Sequence, residues 1–123
     1  MTIILHLTTP AAWQAAQAAG SYRGDTLDTQ GFIHCSTPAQ ITTVANRFFQ
    51  GQSGLALLCI EPNKVQSRLI FEHPINPDTG EIEPGSQQFP HIYGPLNLNA
   101  VVQVVDFPPN PDGSFSLPKE LEG

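Results

Sequence analysis

Three histidines in this chain stand two residues ahead of a hydroxyl: His6 before Thr8, His34 before Ser36 and His91 before Tyr93. In an extended strand, residues i and i+2 share a face, so each pair would present an imidazole and a hydroxyl together. The first two pairs run straight into helix starts, "HLTTPAAW" from His6 to Trp13 and "HCSTPAQ" from His34 to Gln40. A helix start offers unpaired N–H groups and the positive end of the macrodipole, where anions bind. An imidazole and a hydroxyl add directional hydrogen-bonding groups. If both strand ends face one cleft, that pocket suits a phosphate or a ribose diol.

Taken singly, each histidine also fits a structural part, satisfying a backbone carbonyl inside a half-buried strand. His73, ahead of Pro74, reads as a loop residue. Three histidines could hold a catalytic zinc, but no H-x-x-x-H, H-x-H or H-E-x-x-H spacing occurs, and no metal is expected. Cys35 and His34, as strand neighbours, point to opposite faces, which disfavours a Cys–His nucleophile. Arg47 and Arg23 are candidate phosphate contacts, with an ordinary carboxylate pairing as the alternative for each.

The elements that would position these groups follow from local grammar. Ile3 to Leu7 reads as a strand, Thr9 as an N-cap, and Pro10 to Ala19 as a helix stopped by Gly20. Ser21 to Gln30 is a polar connection that includes Tyr22, Arg23 and Asp25, and Phe32 to Cys35 is a second strand. Thr37 and Gln40 have capping-box spacing. The helix they open carries Ile41, Val44, Ala45, Phe48 and Phe49 as an apolar stripe, ending at Gly51. Trp13, Phe48 and Phe49 are expected in the core. Leu55 to Ile60 is a continuous apolar strand, covered on both faces. Arg68 to Glu72, Phe89 to Tyr93 and Ala100 to Phe107 are further strands, with His73 to Gln88 as loop. The pattern predicts one domain over residues 1–107 and a weakly held, Pro-rich tail over 108–123.

The 123 residues suffice for one core. Five Lys and Arg stand against eleven Asp and Glu, a net charge of −6. That balance argues against a nucleic-acid surface or an anionic membrane as partner, since both need clustered cations. No apolar run approaches the ~20 residues of a membrane-spanning helix. Cys35 and Cys59 sit in apolar runs and read as buried thiols. The expected compartment is the cytoplasm.

The segments "HLTTPAAWQAAQAAGSY", "GFIHCST", "VANRFFQG" and "FPHIYGPLNLNAVV" together resemble the bacterial family known as domain of unknown function 952. That family in turn resembles the ADP-ribosyltransferase-like superfamily, nearest its RNA 2'-phosphotransferase branch. The resemblance implies an α+β fold with a split, curved sheet, two main helices and NAD held in a cleft. It implies that His6 contacts the nicotinamide-side ribose and that His34 and Ser36 lie beside it. The expected site then has His6, His34 and His91 as catalytic residues and Thr8, Ser36 and Tyr93 as ligand contacts, with His91 and Tyr93 closing it. Strand, helix, strand, helix, strand over the first sixty residues would alone suggest parallel βαβ units. The resemblance favours α+β instead. Transferases of that kind often carry a catalytic Glu on a later strand, and no acid occurs from Phe89 until Asp106. The expected function is binding of an NAD or ADP-ribose-type nucleotide, with transfer to a small molecule as its chemistry. The alternatives are a non-catalytic module that binds a ligand or a protein partner, and a metal-dependent hydrolase.

Overall fold

A computed structural model of the chain describes residues 3–74, 79–81 and 87–121. Strand β1 (Ile4–Thr8) leads into helix α1 (Pro10–Ala19). Thr9 caps that helix, its Oγ1 accepting the Ala12 N–H at 3.1 Å, and Gly20 ends it at a φ of 91°. The connection after Gly20 is more ordered than its polarity suggests. It contains strand β2 (Ser21–Tyr22) and a single helical turn, α2 (Leu27–Gln30), before strand β3 (Ile33–His34). Helix α3 (Pro38–Phe48) follows, and the Gln40 side chain accepts the Thr37 N–H at 3.0 Å as the capping spacing predicts. Strands β4 (Ala56–Ile60), β5 (Arg68–Glu72), β6 (Phe89–Tyr93), β7 (Leu96–Asn97) and β8 (Val101–Asp106) complete the set. The expected loop from His73 to Gln88 lies largely outside the described residues.

The class is α+β, with antiparallel pairing throughout the ladders. One sheet runs β1-β4-β8 and a second runs β3-β6-β5, while β2 and β7 pair by themselves. Ile4 stands opposite Ile60 and Thr8 opposite Ala56, so β1 and β4 are not the parallel neighbours that the local pattern suggests. The reason is non-local. β3 does not return beside β1 as a crossover would require; it pairs with β6, nearly sixty residues later in the chain. A lone bridge between Leu5 and Ser36 ties the two three-stranded sheets together. Beyond it β1 and the chain after β3 part company, and α3 begins at that fork.

The first sheet is packed on both sides. Ile4, Leu58 and Ile60 meet Ala16, Tyr22, Ile33, Ile92 and Leu96 on one face. Leu5, Leu57 and Cys59 meet Ile41, Ala45, Val105, Phe107 and Phe115 on the other. This accounts for the complete burial of β4. It also corrects the expectation of a weakly held tail. Phe115 is 3% exposed and stacks on Phe107 with ring centroids 4.8 Å apart, and its N–H donates to Asn46 Oδ1 at 2.7 Å. Phe48 is a second correction: it is 61% exposed. Phe48 continues the side of α3 that carries Ile41 and Ala45, but it is the last residue of the helix, and it is Phe49 that packs against the core there. Among the described residues no helix is long and apolar enough to cross a membrane.

Candidate functional site

A cleft of about 1390 Å³ opens at the fork between the two sheets. His6, Thr8, Arg23, His34, Ser36, Arg47, His91 and Tyr93 all line it, so the strand ends do converge. They do not play equal parts.

His6 and Thr8 share the face of β1 that looks onto Tyr22. His6 Nδ1–H donates to the His34 carbonyl oxygen at 2.5 Å, and the Tyr22 hydroxyl lies 2.7 Å from Nε2. Burial lowers the pKa of His6, so at neutral pH the ring is uncharged and Nε2 must accept. Tyr22 therefore donates to Nε2, and the Thr8 hydroxyl, 2.9 Å from the Tyr22 oxygen, donates to Tyr22 in turn. Burial also raises the Tyr22 pKa. Both nitrogens of His6 are thus engaged inside the fold. The ring holds the backbone of β3 against Tyr22. Ser36 is buried and its backbone forms the bridge to Leu5, with N···O distances of 2.7 and 2.8 Å.

The open wall of the cleft is one face of the second sheet. Antiparallel register sets His34 opposite His91 and His91 opposite Ile70, so Phe32, His34, His91, Tyr93, Arg68 and Glu72 share that face. Ile33 and Ile92, on the reverse, are buried in the core. Phe32 stacks on His91 with centroids 4.2 Å apart, and it lies 4.6 Å from His34 and 5.3 Å from Tyr93. His34 Nε2 is 2.8 Å from Gln30 Oε1. Burial, and then the neighbouring His91, lower the pKa of His34. A neutral His34 donates Nε2–H to Gln30 and keeps its lone pair on Nδ1.

Glu72 joins this wall from β5. Its Oε1 accepts from His91 Nδ1 at 2.9 Å and from the Tyr93 hydroxyl. The Tyr93 bond, followed by the His91 bond, holds the carboxyl below its usual range, and the same contact raises the Tyr93 pKa. Asp25 adds a second negative charge felt by His6, Tyr22 and His34.

Sequence reasoning missed Tyr22 and Glu72. Tyr22 was hidden in a segment read as a polar connection. Glu72 was hidden because an acid was sought within the segment after Phe89, not across a ladder. The alternation of Arg68, Ile70 and Glu72, with β5 and β6 as successive strands, was the available signal. Arg23 pairs with Asp28 at 2.6 Å, and both side chains are well exposed. The Arg47 guanidinium lies over the Phe48 ring, 5.1 Å from its centroid. Cys35 and Cys59 are buried free thiols, and burial pushes the Cys59 pKa up to about 11. Among the described residues no three His, Cys, Asp or Glu side chains are grouped to hold a metal ion.

Fold and cleft together define a small antiparallel α+β protein with a His–Tyr–Glu wall. The chain belongs to the protein family of unknown function DUF952, whose model matches residues 7–104. It is similar to the protein CC0527 from Caulobacter crescentus, solved as a structural-genomics target. The crystal structures of CC0527 and of its double mutant each share 32% identity, cover 98% of both chains and give a TM-score of 0.80. The solution NMR structure of CC0527 gives 0.77, at 32% identity over 99% of this chain and 98% of that one. No curated protein matches the chain.

Proposed function

We propose that the cleft binds an ADP-ribose-type nucleotide, NAD in the first instance, on a fold of the ADP-ribosyltransferase-like kind, and transfers its ribosyl group to a small acceptor. The observation that carries this reading is Glu72, a carboxylate held ionised by His91 and Tyr93 beside an aromatic wall. A fixed negative charge of that kind stabilises the cationic ribose that develops as a glycosidic C1'–N bond breaks. The electron pair of that bond leaves with the nicotinamide, and an acceptor oxygen closes on C1'. The acceptor's proton passes to His34, whose neutral ring keeps a free lone pair. The volume of the cleft, about 1390 Å³, exceeds the ~300–1,000 Å³ of ordinary small-molecule sites and suits a dinucleotide.

A second reading, a binding module without turnover, is favoured by His6, whose two nitrogens are both engaged in the fold. NMR titration of labelled protein with NAD, ADP-ribose and nicotinamide, run separately, tests both readings. Shifts at His34, His91 and Tyr93 support binding, and nicotinamide release on incubation with NAD then separates enzyme from module. Absence of shifts with every ligand at millimolar concentration refutes the nucleotide reading.

A further inference from the structure

At the far end of α3 the cleft changes character. Phe48 stands in solvent although the helix could have carried a polar residue there, and the Arg47 guanidinium covers one face of its ring. Both residues line the same cleft as His34, His91 and Glu72. Among the described residues Arg47 forms no ion pair, in a chain where acids outnumber cations eleven to five. Ala12, Ala15 and Ala19 of α1 line the same cleft with small side chains. An exposed aromatic ring and a guanidinium without a carboxylate partner are the two groups that a nucleoside phosphate needs, one for stacking and one for charge.

Spacing sets the size of the ligand. His34 stands just before the start of α3, and Phe48 is ten residues beyond Pro38, so at ~1.5 Å per residue the two ends lie on the order of 15 Å apart. A mononucleotide, whose base is bonded directly to its one sugar, cannot span that. Two sugars joined through a pyrophosphate can. Resting on the nucleotide reading above, we propose that Arg47 and Phe48 form the base-and-phosphate subsite of the cleft. The ligand would lay its base on the exposed ring of Phe48, its pyrophosphate at Arg47 and its distal ribose at the Glu72 wall.

Calorimetric titration of ADP and of ADP-ribose into the wild type, Phe48→Ser, Arg47→Gln and Glu72→Gln tests this. Both subsite side chains are exposed, and thermal melts by circular dichroism check that the variants fold. Phe48→Ser and Arg47→Gln should each weaken both ligands roughly tenfold or more. Glu72→Gln should weaken ADP-ribose and leave ADP unchanged. If Glu72→Gln alone weakens ADP-ribose, the subsite is overturned while the nucleotide reading stands. If the wild type binds neither ligand, both fall. A wild-type dimer that Phe48→Ser converts to monomer would also overturn the subsite, by assigning the exposed ring to contact between copies.

Discussion

Replacing Tyr22 by Phe removes a single oxygen from the junction of three elements. The ring itself is 4% exposed and keeps its packing, so the loss is confined to two hydrogen bonds, to His6 Nε2 at 2.7 Å and with Thr8 Oγ1 at 2.9 Å. A typical buried hydrogen bond contributes about 0.5–1.5 kcal/mol net, and a buried acceptor left without a partner costs about 1–3 kcal/mol. Nε2 becomes such an acceptor, because Nδ1 keeps the proton it donates to the His34 carbonyl. The sum is a loss of roughly 2–4 kcal/mol, a large share of the ~5–15 kcal/mol expected for a domain. With a urea slope of about 2 kcal/mol/M, the midpoint should fall by ~1–2 M. Thr8→Val, at the outer end of the chain of bonds, should cost only ~1 kcal/mol, since Tyr22 still satisfies His6. The double variant should cost ~1 kcal/mol less than the sum of the singles, because the two side chains share a bond. A Tyr22→Phe midpoint within error of the wild type, or strict additivity in the cycle, refutes the relay and the tautomer assigned to His6.

The same histidine makes stability fall in acid. Burial puts the folded pKa values of His6 and His34 below 6.5, so under about pH 6.5 the unfolded chain binds more protons than the folded one. Stability from these groups is complete above that pH and is lost as pH falls toward 5; urea midpoints no lower at pH 5.5 than at pH 7.5 would contradict this. Tyr93→Phe removes the larger cause of the depressed Glu72 pKa, and a carbon-detected NMR titration should show the carboxyl rising toward 4.5. An unchanged titration would sever the link between the two side chains. Phe115→Ala should cost about 3–5 kcal/mol, because Phe115 fills the core against Phe107. A cost under ~1 kcal/mol would mean that residues 108–121 contribute little to the fold.

Short-range chemistry in the sequence was enough for the first and third helices and most of the strands. Thr9 with Pro10, Thr37 with Gln40, and Gly20 act on backbone groups within four residues of themselves, so their meaning survives in isolation. The apolar run of β4 likewise declared its own burial. The alternation of His with Thr, Ser or Tyr flagged six residues that share one cleft, and the scarcity of cations flagged Arg23 and Arg47, which line it too. What each does there was not legible, because it depends on partners distant in the chain. His6 is engaged by Tyr22 and the His34 carbonyl, and His91 is joined by Glu72 from the neighbouring strand. Phe48 continued the spacing of a core stripe, yet how far along α3 the core extends depends on what packs below it, and at the helix end it is Phe49 that meets the core. The direction of β1 against β4 was open for the same reason. A strand's own residues specify that it is extended and which face is apolar, whereas its neighbour and its direction are chosen by the free energy of the whole sheet.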